Sequence, residues 1–103
     1  MTDDTFELKA QLLSVMANAQ RLRMLAALSR DEIPVGRLAE MLDLSQSALS
    51  QHLAKLRSMG LVNTRRDAQS VYYSVSSTKV QAVLDLLRGL FDEQAMPQAR
   101  LVG

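Results

Sequence analysis

The sequence predicts a mainly helical domain carrying one β-hairpin, with its elements in the order ααααββα. Three observations lead there. Apolar residues recur at three- and four-residue spacing in five stretches of the chain. Two β-prone runs, Leu61–Arg66 and Val71–Val75, flank the polar link Asp67-Ala68-Gln69-Ser70, which has hairpin length. And 103 residues, 48% of them hydrophobic, supply one core with little room for a second. Residues 1–96 therefore read as one domain and 97–103 as a loose tail.

The first helix is expected over about 5–16, where Phe6, Leu8, Leu12, Leu13, Val15 and Met16 crowd one broad side. Asp3 and Asp4 lie near the positive end of its dipole. Asn18 can cap a second helix over about 19–29, with Leu22, Leu25, Ala26 and Leu28 inward and Arg21, Arg23 and Arg30 in water. Asp31–Pro34 ends it. Pro34 starts a short helix through Leu42, in which Val35, Leu38, Ala39 and Leu42 fall at i, i+3, i+4 and i+7. Ser45 is placed to cap a longer helix over 46–58, and Gly60 to stop it in the left-handed region. Ser77 or Thr78 can cap a last helix over about 78–93, where Val80, Val83, Leu84, Leu87, Leu90 and Phe91 form an unbroken stripe with Leu86 outside it. Two helices joined by three residues have the spacing of a helix-turn-helix, and the hairpin after them is its wing.

Composition removes several classes of function. With no cysteine, disulfides, thiolate metal ligands, thiol redox chemistry and cysteine nucleophiles all drop out. No nucleophile–base pair, carboxylate dyad or phosphate-binding glycine loop is visible, so no enzyme is expected. His52, the lone histidine, has no ligand-type neighbours in sequence and reads as a helix-packing residue. The first residues, MTDDTFELKA, show no basic-then-apolar signal pattern, and no apolar run approaches the ~20 residues of a membrane span. The chain reads as soluble and cytoplasmic, with no membrane partner.

Net charge is only +1, but it is unevenly spread. Residues 45–79 hold Lys55, Arg57, Arg65, Arg66 and Lys79 against the single acid Asp67. A basic middle between acidic ends suits contact with phosphates, although solvated faces of ordinary domains show similar excesses. On a helical wheel of 46–58, Leu49, Leu53 and Leu56 make a buried seam with His52 at its edge. Opposite lie Ser47, Gln51, Ala54 and Ser58, flanked by Ser50 and Lys55, with Gln46 in the first turn. Such a face is slim enough for a major groove of ~12 Å, and Gln and Ser can hydrogen-bond base edges. In the hairpin, Arg65, Arg66 and Gln69 are placed to reach phosphates or an adjacent minor groove. Alternation puts Val71, Tyr73 and Val75 on one strand face, where Tyr73 packs, and Tyr72 on the other. The partner these residues predict is double-stranded DNA.

Four segments together resemble the ArsR/SmtB family of bacterial repressors: MANAQRLRML at 16–25, VGRLA at 35–39, LSQSALSQHL at 44–53 and RRDAQSVYY at 65–73. The likeness spans nearly the whole chain and is strongest to the branch of nodulation and hemolysin regulators. It implies a dimeric winged helix with 46–58 as its recognition helix. Metal-sensing members carry a Cys-Val-Cys motif where this chain has Pro34-Val35-Gly36, or Asp, His and Glu on the last helix, where it has Asp85, Asp92 and Glu93 without a histidine. Neither ligand set is present, so no metal and no cofactor is expected.

The helices at 5–16 and 78–93 carry more apolar positions than a small domain can cover by itself. In the resembled family the first and last helices pair across a two-fold axis, and here Phe6, Leu13, Val83, Leu87, Leu90 and Phe91 are the candidates for that seam. The expectation is a homodimeric repressor on an imperfectly palindromic operator. Two alternatives stay open: a nonspecific architectural DNA-binding protein, and a helical protein–protein interaction module.

Overall fold

The structure, a computed structural model, describes residues 4–91. Three side chains fix where its helices begin. After α1 (Asp4–Met16), the Asn18 side chain accepts from the Arg21 backbone N–H at 3.1 Å and opens α2 (Ala19–Arg30). Ser45 does the same for α4 (Gln46–Ser58), accepting from Ala48 at 3.1 Å, and Ser77 for α5 (Thr78–Leu90), accepting from Val80 at 3.3 Å. Each satisfies an N–H that the helix itself leaves unpaired.

Helix ends are as clearly determined. At the end of α4, Gly60 has φ 69°, the Gly60 N–H bonds the Arg57 carbonyl, and the Leu61 N–H bonds that of Leu56. This is a Schellman turn, and its usual apolar contact is available because Leu56 and Leu61 are both buried. The preceding helix α3 (Val35–Leu42) ends likewise: Asp43 takes φ 55° and the Leu44 N–H bonds the Ala39 carbonyl. Asp43, Leu44 and Ser45 thus reverse the chain, pack a leucine and cap the next helix in three residues.

The sheet is larger than the expected hairpin. Between α2 and α3 a two-residue strand, β1 (Ile33–Pro34), pairs antiparallel with β3 (Ser70–Ser74), whose other edge takes β2 (Asn63–Asp67). The register sets Ile33 and Thr64 opposite Tyr73, and Pro34 and Arg65 opposite Tyr72. Pro34 has no N–H to donate, which suits an edge strand, and it stands at the N-cap of α3, one residue earlier than a first helical position. The first paired residue of the wing is Asn63; Leu61 and Val62 are buried instead in the core beside α4. β3 runs one residue earlier than expected, and Val75 leaves the ladder to donate its N–H to the Leu28 carbonyl.

α2 is the central element, in contact with α1, α3, α5 and β3, and its Met24, Leu25 and Leu28 are almost wholly buried. They join Leu38, Leu49, Leu56 and Val80 in one core, each apolar side chain contributing about 1.5–3 kcal/mol by leaving water. α5 ends at Leu90, where Phe91 already has non-helical ψ of 18°, and positions 92 and 93 of the expected helix lie outside the described residues. The expected tail at 97–103 lies outside the described residues.

The wing tip is strained. Of its two central residues, only Ala68 has positive φ, 56°, the sign pattern of a type II′ turn whose first position favours glycine. Ala68→Gly removes the clash of Cβ in the left-handed region and is expected to stabilise the fold by about 0.5–1 kcal/mol, net of glycine's entropy. Thermal melting checks it; an unchanged or lower midpoint would show that the turn is unstrained.

Candidate nucleic-acid interface

Leu49, Leu53 and Leu56 are at most 2% exposed, so one side of α4 is sealed against the core. The opposite side carries Gln46, Ser47, Ser50, Gln51 and Lys55, all exposed, together with Ala54 and Ser58. The Ser58 hydroxyl donates to the Lys55 carbonyl at 2.8 Å and lies flat on the helix. Among the described residues no ion pair ties down the leading turns, so the face is a row of short hydroxyls and amides ending in one cation.

His52 sits between the two sides, half-buried, and receives a hydrogen bond from Arg21 Nε at 3.2 Å. Guanidinium can only donate, so Nδ1 is unprotonated and the imidazole proton is on Nε2. Arg21 also donates to the Val15 carbonyl at 3.0 Å, so one side chain ties the end of α1 to α2 and α4. Its expected place in water is corrected: the stem of Arg21 is half-buried because these three elements converge there. Burial, then the charges of Arg21 and Lys55, hold the His52 pKa below the ordinary 6.5.

In the wing, Arg66 and Gln69 are exposed and have no side-chain partner among the described residues. Arg65 differs. Its Nε and Nη2 each donate to a Glu32 carboxylate oxygen at 2.8 Å, its guanidinium carbon lies 4.5 Å from the centre of the Tyr72 ring, and Nη1 is 3.8 Å from Asp67. The hydrogen bonds from Arg65 pull the Glu32 carboxyl below its usual range. Tyr73 is buried and Tyr72 half-buried, the former in the core and the latter under Arg65. Sequence reasoning missed Glu32, which precedes β1 and carries no local signal, because its partner Arg65 lies far along the chain.

Away from this face, Phe6, Leu8, Leu13, Leu86, Leu90 and Phe91 are 59–67% exposed on α1 and at the end of α5. Val83 and Leu87 are half-buried, with Val83 packed against the core of its own chain. Leu8 and Leu86 extend the apolar surface beyond the residues the stripe singled out. Among the described residues no group of three or more His, Cys, Asp or Glu side chains could hold a metal ion.

The family model for bacterial regulatory proteins of the arsR family matches residues 18–64, from the cap of α2 into β2. The transcriptional activator HlyU of Vibrio cholerae is 56% identical over 80 residues, 78% of this chain and 74% of that protein. The chain belongs to the arsR family. It is a DNA-binding transcription regulator. The crystal structure of NolR from Sinorhizobium fredii superposes with a TM-score of 0.83 at 51% identity, covering 85% of this regulator and 88% of NolR. The homodimeric winged helix-turn-helix DNA-binding domain of Mb0332 from Mycobacterium bovis has a TM-score of 0.76 at 27% identity, covering 93% and 92% of the two chains.

Burial of His52, with the charges of Arg21 and Lys55 beside it, makes the stability of this regulator depend on pH. Because the folded pKa of His52 is depressed, the native state binds fewer protons than the unfolded chain in the window below 6.5. Stability from this group is complete above that value and is lost as pH falls through the folded pKa. The melting temperature of the parent should therefore drop more between pH ~7.5 and ~5.5 than that of His52→Gln, whose side chain accepts from Arg21 without titrating. Parallel pH profiles for the two proteins would remove His52 from the account.

Proposed function

We propose that this arsR-family regulator acts in the cytoplasm as a homodimer that occupies an imperfectly palindromic operator and represses or competes at the promoter it covers. The observation that carries the reading is the two-sided α4: a sealed leucine seam behind an exposed face of Gln46, Ser47, Ser50, Gln51 and Lys55. A helix so held can enter the major groove with its amides and hydroxyls at base edges, while Arg66 and Gln69 at the wing reach the flanking backbone.

The specificity test separates this from architectural binding. Gln51→Ala and Ser47→Ala should each cost ~1–3 kcal/mol on the operator and almost nothing on scrambled duplex, against a parental preference of roughly 10³ or more. Titration of both duplexes by fluorescence anisotropy measures it. Variants that match the parent on operator would remove α4 as the reader.

Two-fold symmetry is supported by the apolar surface left on α1 and α5. Residues as exposed as Leu90, at 63%, contribute little to the core of their own protomer, and pairing α1 and α5 with a second copy would bury them. It would also set two recognition helices about one DNA turn, or a multiple, apart. Leu90→Asp should then leave the protomer folded but shift sedimentation from about 23 kDa, twice the chain mass of 11.4 kDa, toward the monomer. Monomeric parent at micromolar concentration would sink both the dimer and the palindrome.

A further inference from the structure

We infer that Arg65 is a positioning residue that braces the wing through Glu32, and that Arg66 alone of the two adjacent arginines delivers charge to DNA. The inference rests on the DNA-binding reading above. The two neighbours look equivalent in sequence, but the pleat sends them to opposite faces of the hairpin.

Arg65 pairs with Tyr72, across from Pro34, on the outer face of the sheet. Two of its N–H groups meet Glu32 at 2.8 Å in a fork-to-carboxylate pair, and its plane stacks on Tyr72 at 4.5 Å. The pair joins β2 to the segment entering β1, so the wing is clasped to the corner where α2 ends. A bidentate, stacked guanidinium fixes direction in a way that a flexible lysine does not.

Local charge argues the same way. Around Arg65 stand two carboxylates, Glu32 and, at 3.8 Å, Asp67, so one cation faces two anions and a phosphate arriving there meets net negative charge. Arg66 pairs with Val71 on the other face, is exposed, and has no acidic partner among the described residues. Its charge is the one available for counterion release.

The test measures affinity for operator and random duplex against salt, for Arg65→Ala, Arg66→Ala, the double variant, Glu32→Gln and the charge swap Glu32→Arg with Arg65→Glu. If Arg65 braces the contact made by Arg66, the double variant loses one phosphate contact, a slope change of about 0.9, and not two. That corresponds to about 3.5-fold in affinity across a fourfold rise in salt. Glu32→Gln then weakens binding, and the swap recovers it because the clasp is re-formed with its charges exchanged. If instead Arg65 is a phosphate ligand held back by Glu32, slope losses add to about 1.8, Glu32→Gln tightens binding, and the swap is the worst variant. Either additive slopes or tighter binding by Glu32→Gln overturns the assignment while leaving the DNA reading intact. Should Arg65→Ala fail to fold, Glu32→Gln and the swap decide alone. A parent that binds neither duplex overturns the DNA reading and this assignment with it.

Discussion

On the thirteen residues of α4, Leu49, Leu53 and Leu56 must leave water while Ser47, Gln51 and Lys55 must stay in it, and the rest of the structure answers to that constraint. Sealing the leucine side requires a surface to seal against, which α2 and α3 provide through Met24, Leu25, Leu28 and Leu38. Keeping the other side bare requires that the chain enter and leave α4 without crossing it. The turn at Asp43 to Ser45 and the Schellman turn at Gly60 do this, each with one left-handed residue where the chain reverses and one leucine folded back into the core. The bare face is then a consequence of packing and capping, and its polar residues are free to be chosen for what they touch.

The helices, their caps and the seam were legible because each is specified within a dozen residues: Asn18, Ser45 and Gly60 carry their signals locally, and 3.6-residue periodicity needs only one helix to be seen. What could not be read is what depends on chain segments far apart. β1 is two residues long, too short for any alternation, and exists because Tyr73 and Tyr72 of β3 lie alongside Ile33 and Pro34. Leu61 and Val62 look like the start of a strand by composition, yet they are drawn into the core by the turn that ends α4. Arg21 reads as a wet arginine on a helix wheel, and only the convergence of α1 and α4 on its guanidinium turns it inward. In the candidate interface the exposed face of α4 followed directly from periodicity, whereas the difference between Arg65 and Arg66 depended on Glu32, thirty-three positions away from Arg65 in the chain.

That last separation bears on how charge should be counted in a protein whose net charge is only +1. Along the chain, residues 45–79 look strongly basic. In space, Glu32 crosses from outside that window to meet Arg65, and Asp67 adds to it, so one of the five bases is already neutralised where it stands. The field that a phosphate would feel is therefore set by fewer cations than the sequence tally, Lys55 on α4 and Arg66 on the wing among them. In the proposed binding mode fewer charges steer the encounter, and more of the affinity rests on short-range fit between α4 and the groove. In that mode the clasped Arg65 is useful twice: it fixes the direction of the wing, and it withholds a charge that would otherwise bind every sequence equally.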